Sequence, residues 1–281
     1  HLKVGQYKEA LSFFNKAFEI SPDDPNLILE MSPLLIQFDG QFGQVQVLIE
    51  NLLATRHQKE FMKKGKNIVG MSLSYRAQYE DALKELDNSL SFDDQYFPAL
   101  VNKGFILLKM GRSNEAIPIL QKAIGADKRV PLAHYLLTRG YIQEGFRTGN
   151  KQFYSEALST SSKYAQNFSD LRQEVLFLDA VAKMELEVDP NDLLRSVRRF
   201  LEVDPELTAM HVHNIEYDFQ SFNWNDYSEL CKGLATKLDQ YHKILLNGFC
   251  QLKVGNVTGA KTTFERLLSQ RKSDGVLQAL Y

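Results

Sequence analysis

The residues of this chain that could do chemistry are few, and none of them forms a known catalytic pattern. His211 and His213 form a close histidine pair of the kind that can bind a metal. On a helix, residues two apart point about 200° apart, so the two rings could not share one metal ion. The sequence contains no phosphate-loop, serine-nucleophile or zinc-protease motif. We therefore expect no enzymatic activity, no bound metal and no cofactor.

The chain has two cysteines, Cys231 and Cys250, which are too few for a disulfide scaffold. Neither has a second cysteine nearby, so a zinc site is not expected. The two residues could form one disulfide or remain two buried thiols. Because isolated cysteines behave as small hydrophobic residues, the interpretation as buried thiols is favoured.

Two clusters of basic residues could bind an acidic ligand. The stretch KEFMKKGKN, residues 59–67, is the densest basic run, and Arg195, Arg198 and Arg199 follow one another closely in a second segment. In both places a solvated helix face is the favoured interpretation, and an acidic peptide or a phosphate is the alternative. The chain as a whole has 33 basic and 35 acidic residues, a net charge of −2. Such a balance provides no electrostatic surface for nucleic acid, so no nucleic-acid partner is expected.

The elements that position these residues follow from an internal repeat. Small and apolar residues recur at a spacing of 34 residues, from one end of the chain to the other. The recurring small positions are Gly5, Ala10 and Ala17; Gly70 and Ala82; Gly104, Gly111, Ala116 and Ala123; and Gly248, Gly255 and Ala260. Each unit contains two segments with helical periodicity, and a glycine or small residue closes the first segment. The sequence therefore predicts a tandem array of helix–turn–helix units.

This 34-residue pattern resembles the tetratricopeptide repeat. The resemblance implies an all-α, right-handed solenoid, in which stacking of the units creates the core. The predicted units are residues 1–24 (the second half of a unit), 25–62, 63–96, 97–130, 131–168, 169–207, 208–240 and 241–274, with 275–281 starting a further helix. The units at 25–62, 169–207 and 208–240 are degenerate.

Local features modify some of the predicted units. In the unit 131–168, extra residues near 146–152 imply either that the first helix runs on or that the turn is a longer loop. In the unit 97–130, we expect Ser113 or Asn114 to cap the second helix. Pro118 should cause a local adjustment of that helix and no break, because the small and apolar positions around it keep their spacing.

The resemblance also implies where a ligand would bind, because the first helices of such units line a concave surface. The candidate residues on this surface are Lys64, Asn67, Met71, Tyr75, Val101, Asn102, Phe105, Lys109, Tyr135, Arg139, Leu245 and Phe249. They form an apolar and aromatic floor with scattered polar groups, which suits an amphipathic helix or an extended apolar peptide. The alternative is that some of them pack against neighbouring helices. The lysine and arginine pairs of a carboxylate clamp for chaperone C-termini are not found at the corresponding positions.

The favoured hypothesis is a non-catalytic protein-interaction scaffold that binds a peptide or partner protein on this concave surface. One alternative is a peptide-sensing module that regulates an attached effector domain, and another is an RNA-binding helical repeat. Association of copies through the terminal repeats is a further expectation. No apolar run approaches the roughly 18 residues that cross a bilayer. The chain starts at His1 within a half unit, which implies an upstream first helix; a cytoplasmic location is favoured, and a periplasmic one is the alternative.

Overall fold

The computed structural model describes residues 7–129, 131–167, 172–201, 228–253 and 255–270. These residues form fourteen helices and no strand. The helices are α1 (Tyr7–Ile20), α2 (Pro25–Asp39), α3 (Phe42–Thr55), α4 (Lys59–Tyr75), α5 (Tyr79–Phe92), α6 (Phe97–Lys109), α7 (Ser113–Ala126), α8 (Pro131–Thr148), α9 (Lys151–Asn167), α10 (Arg172–Glu185), α11 (Pro190–Leu201), α12 (Ser228–Thr236), α13 (Gln240–Lys253) and α14 (Val257–Gln270). The predicted all-α fold class is confirmed.

The helices are grouped in two compact units. Among the described residues, the first unit covers 7–140 and the second covers 141–270, so the boundary falls within α8. In the first unit α4 packs on α5 and α6 packs on α7, and in the second unit α13 packs on α14. The three pairs lie within the predicted units 63–96, 97–130 and 241–274, except that α4 begins at Lys59 and α13 begins at Gln240, each ahead of the predicted boundary.

Close contacts between paired helices depend on glycine in the first helix. A Cβ atom added at Gly104 would lie 2.4 Å from Cδ2 of Leu120, and one added at Gly248 would lie 2.5 Å from Cε1 of Phe264. Gly70 has the same relation to Leu86, at 2.9 Å. The alanines at the small positions of the second helices, Ala82, Ala116, Ala123 and Ala260, are also buried. Each pair therefore packs a bulky side chain against bare backbone.

The turns within the pairs require a left-handed residue. Gly111 has a φ of 73° and Gly255 has a φ of 83°, and each follows the end of a first helix. In the pair α4–α5, the same position is occupied by Ala77, with a φ of 58°. An L-residue pays for this conformation because its Cβ crowds the backbone, so Ala77 is a strained version of the glycine turn.

The first helix of the unit 131–168 extends into the extra residues predicted near 146–152. The alternative of a longer loop is therefore not observed. Helix α8 has 18 residues and ends at Thr148, and α9 begins at Lys151 after a short turn. Pro118 lies inside α7, which is continuous from Ser113 to Ala126, so the expected absence of a break is confirmed.

The expected cap of α7 is wrong. The N-cap residue is Arg112, without a capping side-chain bond, and its backbone carbonyl accepts hydrogen bonds from the amides of Glu115 and Ala116. Ser113 is the first residue of the helix and is buried. The guanidinium of Arg112 pairs with the carboxylate of Glu115 in the first turn.

Some sequence predictions lie outside the described residues. They are Gly5, the histidine pair His211 and His213, the segment 275–281, and the part of the unit 208–240 before residue 228.

Candidate functional site

The twelve predicted ligand-binding residues are mostly buried. In the first unit Asn67, Met71, Val101, Asn102, Phe105, Tyr135 and Arg139 are buried, and in the second unit Leu245 and Phe249 are buried. The remaining three, Lys64, Tyr75 and Lys109, are partly exposed. Access by a ligand is therefore limited to a few of the predicted positions, because most of these side chains pack between helices.

Two buried asparagines link neighbouring repeats of the first unit. Asn102 of α6 donates a hydrogen bond from Nδ2 to Oδ1 of Asn67 on α4, over 2.9 Å. Asn67 in turn lies with its Nδ2 3.9 Å from Sδ of Met71. A buried amide must be hydrogen-bonded to offset its desolvation, and this pair meets that need across the repeat boundary. The two residues hold α4 and α6 in register.

Two of the three partly exposed predicted residues, Tyr75 and Lys109, lie beside aromatic rings. Tyr75, at the end of α4, stacks on Phe42 with 5.6 Å between the ring centroids. The ammonium of Lys109, at the end of α6, lies 5.7 Å from the ring centroid of Phe105. Such positions combine apolar area with a polar tip, which is typical of the anchoring residues of protein interfaces.

The basic run at the start of α4 is paired with carboxylates of the same unit. The ammonium of Lys63 lies 2.9 Å from Oε2 of Glu60 and 3.0 Å from Oδ2 of Asp93. Burial lowers the pKa of Lys63, but the hydrogen bonds to Glu60 and Asp93 outweigh this effect and hold the pKa above its usual value. The bond from Lys63 also holds the pKa of Asp93 below its usual range.

Two further lysines of this run, Lys64 and Lys66, are also paired. Lys66 lies 2.9 Å from Oε2 of Glu85. Lys64 lies 3.7 Å from Oε1 of Glu60 and 4.0 Å from Oε1 of Glu30. Three of the four lysines of the run thus have a carboxylate neighbour within the protein, which weakens the alternative of an acidic ligand at this place.

A buried serine, lysine and aspartate cluster lies in the second unit, and sequence patterns did not reveal it. Asp179 of α10 accepts hydrogen bonds from Ser161 of α9 and Ser196 of α11, each over 3.0 Å. The ammonium of Lys183 donates to Oγ of Ser196 over 2.6 Å and lies 3.0 Å from Oδ2 of Asp179. A serine beside a lysine can form a nucleophile and base. Here Ser196 is buried and donates to the carboxylate that also pairs with the lysine, so the cluster joins three helices.

A second polar cluster surrounds His242 at the start of α13. Nδ1 of His242 lies 2.5 Å from Oδ2 of Asp239, and Nε2 accepts a hydrogen bond from Nε of Arg198 over 3.1 Å. Burial raises the pKa of Asp239, but hydrogen bonds from His242 prevail and hold this pKa low. Arg198, one of the three arginines of the predicted basic face, is thus bound within the unit.

The two cysteines form a disulfide, so the interpretation as buried thiols is wrong. Cys231 of α12 and Cys250 of α13 are bonded, with their Cα atoms 6.5 Å apart. Both residues are buried where the two helices pack together. The sequence separation of 19 residues alone could not predict this pairing, because it depends on the way the helices meet.

Two further properties concern metal binding and membrane crossing in the described part of the chain. Within it, no group of three histidine, cysteine, aspartate or glutamate side chains is placed to hold a metal ion. Within the same residues, no helix has the length and apolar composition that crossing a membrane requires.

Comparisons with known proteins agree with this architecture. A family model described as Tetratricopeptide repeat matches residues 1–24 and 97–129. No curated protein matches the chain. Among solved structures, the chain is similar to the C-terminal part of a TPR repeat-containing protein from Cytophaga hutchinsonii, with a TM-score of 0.56, 14% identity, and coverage of 98% of this chain and 95% of that one.

Two other solved structures have a similar fold. PilW, described as a widely conserved type IV pilus biogenesis factor, has a TM-score of 0.54 and 14% identity, with coverage of 91% of this chain and 97% of that one. YrrB, described as a TPR protein with an unusual peptide-binding site, has a TM-score of 0.52 and 16% identity, with coverage of 69% and 93%. At identities of 14% to 16%, these similarities show a shared fold and nothing more specific.

The paired helices, the glycine contacts between them and these similarities define an α-solenoid of helix–turn–helix units. Residues 1–24 and 97–129 match the tetratricopeptide-repeat model, and the fold of the chain is similar to that of solved tetratricopeptide-repeat proteins.

Proposed function

We propose that this chain is a non-catalytic interaction scaffold that binds a peptide or a partner protein on its first-helix face. This face is the surface of α4, α6 and the first half of α8 in the first unit. The observation that carries the proposal is the placement of Tyr75 and Lys109. They are partly exposed beside Phe42 and Phe105, on a surface whose other predicted residues, apart from Lys64, are buried.

The paired lysines indicate the chemistry of the partner. Because Lys63, Lys64 and Lys66 have carboxylate neighbours in the protein, an acidic ligand would have to displace existing ion pairs. A partner that contacts Tyr75 through apolar and aromatic groups would not have to displace any of these ion pairs. The similarity to YrrB, itself described as having a peptide-binding site, supports a peptide as one form of the partner.

Site-specific photo-crosslinking in cells of the source organism tests the proposal. The crosslinking amino acid p-benzoylphenylalanine would replace Tyr75 or Lys109, and the control would place it at Lys84 on the second helix α5, where the side chain is 73% exposed. We expect the same partner to be captured from positions 75 and 109 and not from position 84. The proposal is wrong if positions 75 and 109 capture no protein, or only what position 84 also captures.

A further inference from the structure

A cavity of about 620 Å³ opens between α1, α2 and α3 in the first unit. Helices α1 and α3 are the second helices of their repeats, and α2 contributes Met31 and Leu35 to the cavity wall. None of the residues of the first-helix face lines this cavity. It is therefore separate from the proposed binding surface, and its volume is in the range of ordinary ligand pockets.

The interior of the cavity is apolar. Met31, Leu35 and Val45 are buried and form its deeper part, while Phe18 and Leu48 are half-buried. Val47, also part of the lining, is 58% exposed, which is a large fraction for a valine on a helix. Transfer of apolar side chains into such a site is favourable because it removes apolar surface from water on both partners.

The polar groups around the cavity are carboxamides. Asn15, Gln44 and Asn51 are exposed, and no residue lining the cavity carries a formal charge. A carboxamide both donates and accepts hydrogen bonds, as the peptide group does. A helical ligand keeps its backbone groups bonded internally, whereas an extended peptide offers them to its surroundings. A charged ligand would lose hydration without gaining a counter-charge.

The spacing of the polar groups fits a short extended chain. Gln44, Leu48 and Asn51 lie on one face of α3, since they are four and three residues apart. Seven residues of helix place Gln44 and Asn51 about 10 Å apart along the axis. This distance corresponds to about three residues of extended peptide.

We infer that this cavity binds a short, uncharged and largely apolar segment of a partner protein in an extended conformation. Apolar side chains of the segment enter between Phe18 and Leu48, and its backbone amides bond to the carboxamides at the edge. This binding is independent of the first-helix face, so either surface can be disabled alone.

A variant pair separates this cavity from the rest of the surface. A Cβ atom at Gly43, which lines the cavity, meets nothing within 4 Å, so Gly43→Leu adds bulk at the site without a clash at the backbone. Gly125 in α7 is equally open and does not line the cavity, so Gly125→Leu is the matched control. A phage-displayed library of random heptapeptides is selected on the full chain. A synthetic peptide from the most enriched clone is then titrated by fluorescence anisotropy.

The expected result is enrichment of apolar, uncharged heptapeptides. Their affinity should fall at least tenfold with Gly43→Leu, should stay unchanged with Gly125→Leu, and should not depend on Tyr75 or Lys109. Lack of enrichment, enrichment of charged sequences, or binding that survives Gly43→Leu would overturn the inference. A bound peptide that is helical by circular dichroism, or a dimer that Gly43→Leu dissociates, would also overturn it, in favour of a helix or a second copy of the chain.

Discussion

A single residue type, glycine, sets how closely the two helices of a pair approach. Gly104 lies against Leu120 and Gly248 lies against Phe264, at distances that leave no space for a methyl group. Leu120 and Phe264 are buried, so neither can rotate away into solvent. Glycine lowers helix propensity, and its presence here shows that packing outweighs propensity at these positions.

Gly104→Ala should lower the free energy of unfolding by about 1–2 kcal/mol, because overpacking against Leu120 exceeds the gain in helix propensity. Gly125→Ala is the control, since its Cβ meets open space, and it should cause no loss. Urea denaturation followed by circular dichroism measures both. A double-mutant cycle with Leu120→Ala should show a coupling of at least about 0.5 kcal/mol. Additive effects would contradict the proposed contact.

Ala77 occupies a turn position that other pairs give to glycine. Ala77→Gly should raise the free energy of unfolding by about 0.5–1 kcal/mol, because glycine adopts the left-handed conformation without strain. The higher entropy of glycine in the unfolded chain offsets part of this gain. Gly111→Ala should act in the opposite direction by about 1 kcal/mol. Thermal denaturation of both variants under one condition provides the comparison. Destabilisation by Ala77→Gly would show that the turn is not strained.

At the scale of the helices, polar side chains join elements that the repeat pattern treats as separate. Asp179 reaches from α10 to α9 and α11, and the disulfide joins α12 to α13. These links lie in the second unit, which contains two of the three repeats predicted to be degenerate, 169–207 and 208–240. We interpret them as compensation, because weaker matching of small and bulky residues leaves more of the stability to specific bonds.

Asp179→Asn should lower the free energy of unfolding by about 2–3 kcal/mol, because it removes the acceptor of Ser161 or Ser196 and the partner of Lys183. Asp192→Asn breaks an exposed ion pair with Arg195 on α11 and should change stability by less than about 1 kcal/mol. Chemical denaturation of the two variants tests the difference. Equal effects would mean that the buried cluster does not hold the three helices together.

Reduction of the disulfide between Cys231 and Cys250 should destabilise the second unit by about 3 kcal/mol, given the length of the loop that it closes. Urea denaturation with and without dithiothreitol measures this change, and a variant with both cysteines replaced by alanine should not respond to the reductant. If two free thiols titrate in denaturant without reductant, the bond is not formed in solution.

At the scale of the whole molecule, the sequence predicts the helix pairs and their turns but little of the contact surface. The pairs follow from local patterns: Gly111 and Gly255 close first helices, and Pro118 fits within α7. The burial of Asn67 and Arg139 depends on how neighbouring helices pack, and a periodic pattern cannot report this. For the same reason, the disulfide and the Asp179 cluster were found only in three dimensions.

The two units should respond separately to local damage. Gly248→Ala places a Cβ against Phe264, so it should speed amide hydrogen exchange in α13 and α14. Exchange in α4–α7 of the first unit should stay unchanged, since repeat contacts act mainly between neighbours. Hydrogen-exchange mass spectrometry measures both regions in one experiment. Faster exchange in every helix would instead indicate one cooperative structure.

The bare backbone of the first helices accepts partners of different size. Leucine fills the space beside Gly104, phenylalanine beside Gly248, and tyrosine, Tyr154, beside Gly145 in the elongated α8. The first helix of each pair thus provides the same space beside its glycine, while the second helix supplies a side chain of variable size. Chimeric repeats could therefore be assembled by exchanging second helices between units, and tandem duplication could diversify one half of a repeat without redesigning the other.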